Sequence, residues 1–170
     1  AAPEGQTGKS VIALGLLDTL LRGVESVGVF RPLVASGRHD DILEMLLSQP
    51  GVNLGYDEAI GITYDEMRAD PESALQTIVD KFGRISPRFD AIVVLGSDYA
   101  DVTSPTELAF NAQIAANLNS SLVLVVSGFE RGVNDIRSAA ESALGEFTAH
   151  HVQTIGVIAN RVEPAILDQT

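Results

Sequence analysis

The stretch that decides the fold of this chain lies near its start and reads Glu4-Gly5-Gln6-Thr7-Gly8-Lys9-Ser10. A leucine-rich segment over residues 9–22 follows at once and predicts a helix that stops before Gly23. Free backbone N–H groups in a glycine-rich turn form a concave nest for anions, and the positive end of the following helix adds to it. We therefore predict an anion-binding loop whose ligand contacts come from Gly5, Gln6, Thr7, Gly8, Lys9 and Ser10.

The last three residues of this stretch match the end of the P-loop motif. In that motif the lysine reaches the β- and γ-phosphates of a nucleotide and the serine hydroxyl ligates Mg²⁺. The motif also places glycine five residues before Gly8, where this chain has Pro3, which lacks an N–H and has a fixed φ. The turn can still form from Gly5 onward. We expect ATP or another nucleotide with Mg²⁺ as ligand; the alternative is a turn whose lysine only caps the helix or is solvated.

Four continuous apolar runs and four further helical patterns predict the rest of the fold. The runs cover residues 27–30, 91–95, 122–126 and 155–159, and the helical patterns cover residues 40–47, 70–85, 104 to about 118, and 134–147. Continuous runs are typical of strands covered on both faces, and their alternation with helices favours a parallel sheet. After the helix over 40–47, the chain to residue 67 looks like a loop. We predict one P-loop-type α/β domain over residues 1–170, a three-layer parallel sheet flanked by helices.

Polar residues follow three of the predicted strands, at the sheet edge where ligands bind in parallel folds. Asp98 is predicted to hold Mg²⁺ together with Ser10, and the alternative is a solvated turn residue. Asn160 and Arg161 are predicted beside an adenine base, since an asparagine amide pairs with both a donor and an acceptor; the alternative is a turn. Arg31 is predicted to hold a carboxylate or phosphate, with a surface cation as the alternative.

The composition excludes several classes of partner. A formal net charge of -12 repels nucleic acid and anionic membranes, so we expect neither as a partner. No apolar run approaches ~20 residues, the length that spans a bilayer. The chain has no cysteine, which excludes disulfides and thiol catalysis and fits a cytoplasmic protein.

The whole chain resembles the opening of bacterial phosphate acetyltransferases of the long, multidomain type. The stretches that carry this resemblance are residues 1–10, 28–32, 96–99, 103–107 and 159–161. The resemblance implies a parent reaction in which acetyl-CoA and phosphate give acetyl phosphate and CoA. In that family the chemistry resides in a separate C-terminal domain, which we expect to be missing from these 170 residues.

The same part of that family is similar to dethiobiotin synthetase, a P-loop enzyme. Arg31-Pro32 stands where the synthetase has Lys-Pro, and Asn160-Arg161 matches its Asn-Arg near the adenine. Leu95-Gly96 replaces its Glu-Gly at the metal, which argues against synthetase activity.

Three hypotheses about function follow from these resemblances. The first is an accessory domain of a phosphate acetyltransferase that responds to a metabolite or supports a homo-oligomer, with no catalytic residue of its own. The second is an ATP-dependent ligase similar to dethiobiotin synthetase, and the third is a structural domain that binds no nucleotide.

Overall fold

The computed structural model shows an α/β fold in which parallel strands alternate with helices, and this confirms the predicted fold class. It describes residues 1–97 and 106–170, apart from the side chains of Thr106 and Gln169. The helices in these ranges are all too short or too polar to cross a membrane.

The internal contacts of the chain divide it into two units. We call Ser10–Ser97 the three-strand unit, and Ala1–Lys9 with Asp98–Thr170 the two-strand unit. The organisation of residues 1–170 as one domain stays a prediction.

The three-strand unit is built around β1, which lies at the centre of its sheet. Its elements are α1 (Lys9–Leu21), which belongs to this unit from Ser10 onward, β1 (Val27–Val34), α2 (Asp41–Leu47), α3 (Tyr56–Ala59), β2 (Ile60–Thr63), α4 (Tyr64–Ala69), α5 (Pro71–Ile85) and β3 (Ala91–Val94). The strands pair in parallel in the order β2-β1-β3. All eight residues of β1 are buried, as expected of a strand covered on both faces. Ala13 and Leu17 of α1 pack in the core with Val29 of β1 and Leu43 of α2.

Two predictions for this unit were wrong: one about the end of a strand and one about a segment expected to be a loop. β1 continues to Val34, so Arg31 lies inside the strand and not after it. Residues 48–67 were expected to be a loop but contain α3, β2 and α4. β2 is only four residues long and includes Gly61, so its apolar pattern is too short and too interrupted to read as a strand.

The two-strand unit holds β4 (Leu122–Ser127) and β5 (Thr154–Asn160), paired in parallel, with α6 (Thr106–Asn117) and α7 (Val133–Ala149). Leu124 and Val126 of β4 pack with Ile136 and Phe147 of α7 in its core. At the other end of the chain, the backbone nitrogen of Ala1 donates to Val123 O, and Ala1 O accepts from Val125 N, each at 2.8 Å. The residues that lead into the glycine-rich loop are therefore held directly on β4.

A pair of glycine substitutions tests the packing of β2. A Cβ on Gly61 would collide with Pro32 O of β1 and lie 3.0 Å from Pro32 Cα, so Gly61→Ala should lower the free energy of unfolding by about 3 kcal/mol. Gly83 in α5 has open space around the same position, so Gly83→Ala should raise it by about 0.5–1 kcal/mol. Urea unfolding of both variants measures the two changes, and equal effects would contradict the close approach of β2 to β1.

Candidate functional site

The predicted anion-binding loop, which we call the phosphate loop (residues 4–8), is a turn that ends where α1 begins at Lys9. Gln6 has a φ of 57° and Gly8 a φ of 80°, so two of the five residues of this turn are left-handed, on either side of Thr7. Left-handed backbone costs a non-glycine residue about 1–2 kcal/mol, so other contacts must hold Gln6 in place. Thr7 is buried at 2% exposure and Lys9 at 8%. Left-handed residues in a turn of this kind gather backbone N–H groups into an anion-binding concavity.

The end of β5 contacts the phosphate loop through two side chains. Asn160, the last residue of the strand, donates from Nδ2 to Thr7 O at 2.7 Å. Arg161 donates from Nη1 to Gln6 O at 3.0 Å. Gly8 lies so close to Asn160 that a Cβ at this position would collide with Nδ2. The structure thus brings Asn160 and Arg161 to the loop that the Gly-Lys-Ser motif predicted.

An ion pair that the sequence analysis missed holds the start of the same loop. Arg131 Nη1 and Nη2 bind the two carboxylate oxygens of Glu4 at 2.5 and 2.8 Å. This hydrogen bonding raises the pKa of the Arg131 guanidinium above its ordinary value. The Arg131 Nη1 atom also lies 3.4 Å from Ser127 O, at the end of β4. The two partners are 127 positions apart in sequence, and no local pattern marks such a pair.

An aromatic contact supports Arg161. Its guanidinium lies 4.2 Å from the centroid of the Phe129 ring, which is 46% exposed. A cation over an aromatic face is attracted by the ring quadrupole, and Arg161 has a φ of 63° that its surroundings must maintain. Phe129 therefore helps to keep Arg161 beside Gln6, a role that the sequence did not indicate.

Arg31 belongs to the three-strand unit and is buried at 3% exposure. Its Nη1 donates to Gly96 O at 2.7 Å, and its Nε lies 3.0 Å from Asp40 Oδ2. Asp40 also caps α2, because its Oδ1 accepts from Leu43 N at 2.9 Å. The alternative of a surface cation is therefore wrong. Binding of a ligand carboxylate or phosphate by Arg31 stays a prediction, and the guanidinium already has a carboxylate beside it.

The predicted metal ligands are the least defined part of the site. Ser10 is the second residue of α1 and is partly buried. Asp98 lies outside the described residues. Within residues 1–97 and 106–170, no group of three or more His, Cys, Asp or Glu residues is arranged to hold a metal ion. Magnesium binding by Ser10 and Asp98 stays a prediction.

A double-mutant cycle tests the contact between Gly8 and Asn160. Gly8→Ala should lower the free energy of unfolding by about 2 kcal/mol, because it strains a left-handed position and displaces the Asn160 amide from Thr7 O. In an Asn160→Ala background only the backbone strain remains, so the same change should cost about 1 kcal/mol less. Denaturant unfolding of the four proteins gives the coupling, and strictly additive effects would contradict the contact.

Comparison with known proteins identifies the family of this fold. A family described as "AAA domain" (AAA_26) matches residues 1–169. A phosphate acetyltransferase of Synechocystis sp. (strain ATCC 27184 / PCC 6803 / Kazusa) is 28% identical over 171 residues, which cover 96% of this chain and 24% of that protein. A phosphate acetyltransferase of Nitratidesulfovibrio vulgaris is 23% identical over 168 residues, 94% of this chain and 24% of that protein. The chain thus spans about a quarter of the length of these relatives, and the predicted resemblance is confirmed. The chain belongs to the AAA_26 family, whose domains are P-loop NTPase-like.

Proposed function

We propose that this chain is an accessory N-terminal domain of a cytoplasmic phosphate acetyltransferase, and that its phosphate loop binds a nucleotide with Mg²⁺ or another phosphorylated metabolite. Two kinds of observation support the proposal. Nearly all of the chain is similar to about a quarter of two proteins named phosphate acetyltransferase. The observation that supports binding of a phosphorylated ligand is the phosphate loop, which has left-handed residues, is held by Asn160 and Arg161, and leads into the first turn of α1.

The binding of an anion requires a local positive site, because the chain as a whole has a formal charge of -12. The first turn of α1 supplies backbone N–H groups that make no bond within the helix, and it supplies the positive end of the helix dipole. Lys9 opens this helix, and Arg161 contacts the loop beside it. A phosphate group is therefore the ligand chemistry that this part of the fold favours.

Each residue of the proposed site has a definite task. The amides of Gly5 to Gly8 surround the phosphate oxygens, and Lys9 adds a point charge at the β- and γ-phosphates. Ser10 and Asp98 are the residues that would hold Mg²⁺, which offsets negative charge between neighbouring phosphate groups when bound. Arg31 would act only on a ligand that competes with Asp40 for its guanidinium.

The three-strand unit supports a binding role over a ligase role. Leu95, which stands where dethiobiotin synthetase has a glutamate, is 2% exposed and packs in the core with Val29 and Leu17. It offers no carboxylate for a metal, and Arg31 beside Gly96 is engaged with Asp40. We propose that acetyl transfer belongs to a C-terminal catalytic domain of a longer chain, and that this domain works within a homo-oligomer.

Calorimetric titration with Mg²⁺-ATP and related nucleotides tests the binding role. Lys9→Ala should weaken binding by about tenfold to a hundredfold, because a charge-assisted contact is worth about 1.5–3 kcal/mol. Arg22→Ala is the matched control: it removes one positive charge just beyond the other end of α1, where the Arg22 side chain is 78% exposed and forms an ion pair with Asp18 of α1. It should leave the affinity unchanged. If the wild-type protein bound none of the nucleotides, the proposed binding role would be wrong and only the hypothesis of a structural domain would remain.

An assay of turnover by the same 170-residue chain separates the accessory role from the ligase. We expect neither ATP hydrolysis nor acetyl phosphate formation from acetyl-CoA and phosphate. ATP hydrolysis that Lys9→Ala abolishes and Arg22→Ala preserves would contradict an accessory role and favour the ligase.

A further inference from the structure

We infer that Asn160 and Arg161 are positioning residues of the phosphate loop: they hold two consecutive loop carbonyls and thereby orient the amides that face the anion. This inference deepens the proposed function and rests on it for the identity of the ligand. All of its contacts lie within the two-strand unit.

The two carbonyls belong to neighbouring peptide groups. Gln6 O is part of the peptide group that carries the N–H of Thr7, and Thr7 O is part of the one that carries the N–H of Gly8. The described peptide bonds are all trans, so in each group the N–H points opposite to the C=O. Because Arg161 and Asn160 hold the carbonyls on the side of β5, the amides of Thr7 and Gly8 face away from β5.

The same contacts make the amides better donors. A hydrogen bond to a carbonyl polarises its peptide group, and the polarisation strengthens the N–H on the other side. Arg161 also brings a positive charge, and the Phe129 ring holds its guanidinium at 4.2 Å. The loop therefore has its binding orientation before a ligand arrives, which lowers the entropy cost of binding.

Neighbouring contacts oppose any rotation of these peptide groups. Gly8 lies directly against the Asn160 amide, and its φ of 80° is one that residues with a side chain rarely adopt. The Glu4–Arg131 ion pair ties the start of the loop to the segment after β4. Rotation of the Thr7–Gly8 peptide would break the bond to Asn160 at 2.7 Å, so this side chain fixes the orientation.

The positioning role differs from the adenine contact that the resemblance to dethiobiotin synthetase implies for Asn160. A residue that orients the loop affects every ligand with phosphate groups, with or without a base. A residue that reads a base affects only the nucleotide. Inorganic tripolyphosphate with Mg²⁺ therefore separates the two roles from each other.

The experiment compares Mg²⁺-tripolyphosphate and Mg²⁺-ATP as calorimetric ligands of the 170-residue chain. Asn160→Ala should weaken both by the same factor, about tenfold, because one well-formed hydrogen bond to the loop is lost. Asn117→Ala is the matched control: it removes a similar bond, from Asn117 Nδ2 to Gln113 O at 2.9 Å in α6, and should leave both affinities unchanged. Weaker binding of ATP with unchanged binding of tripolyphosphate would overturn the inference.

A second measurement needs no ligand and no substitution. In the ligand-free protein, NMR should show a nuclear Overhauser effect between the Asn160 side-chain amide protons and the Gly8 α-protons, since these groups are in contact. Its absence would overturn the positioning role. If the wild-type chain bound neither probe, the proposed nucleotide-binding function would fail, and this NMR contact would still decide whether Asn160 holds the loop.

Discussion

The hydrogen bond from Asn160 to Thr7 O is the contact on which the arrangement of the phosphate loop depends. It joins residues 153 positions apart, so it forms only because the last residue of β5 lies beside the loop. The parallel pairing of β4 with β5 sets the position of this residue. Ser127 pairs with Asn160, and Gly128 N donates to Asn160 O at 2.7 Å. The other edge of β4 holds Ala1, which leads into the loop. One strand thus fixes both the entry of the loop and the side chain that holds it.

The two arginines that hold the phosphate loop have different kinds of partner. Arg131 is neutralised by Glu4 and serves to anchor the loop. Arg161 bonds a backbone carbonyl and lies over an aromatic ring, and both of these partners are neutral. The loop is therefore held at Glu4 by an ion pair and at Gln6 by a cation whose two contacts are with neutral groups.

Local pattern predicted the features that depend on neighbouring residues. The strands over 91–95, 122–126 and 155–159 were visible as continuous apolar runs, and the glycine-rich stretch before α1 predicted the loop. The position of Asn160 at the end of a strand followed from the same pattern. What could not be predicted depends on distant partners. Gly61 made β2 look like a loop, yet it is there because Pro32 O lies against it.

The same limit applies to the polar contacts of the site. Sequence indicated Asn160 as a binding residue, but only the fold shows that its amide contacts the loop backbone. Arg31 was expected after a strand, and its burial inside β1 follows from its bonds to Gly96 and Asp40. The two units thus differ in how they use polar groups. The two-strand unit directs Asn160 and Arg161 at the phosphate loop, whereas the three-strand unit pairs Arg31 internally and packs Leu95 in its core. The side chains that we propose for anion binding therefore belong to the two-strand unit, whereas Arg31 and Leu95 serve internal pairing and packing within the three-strand unit.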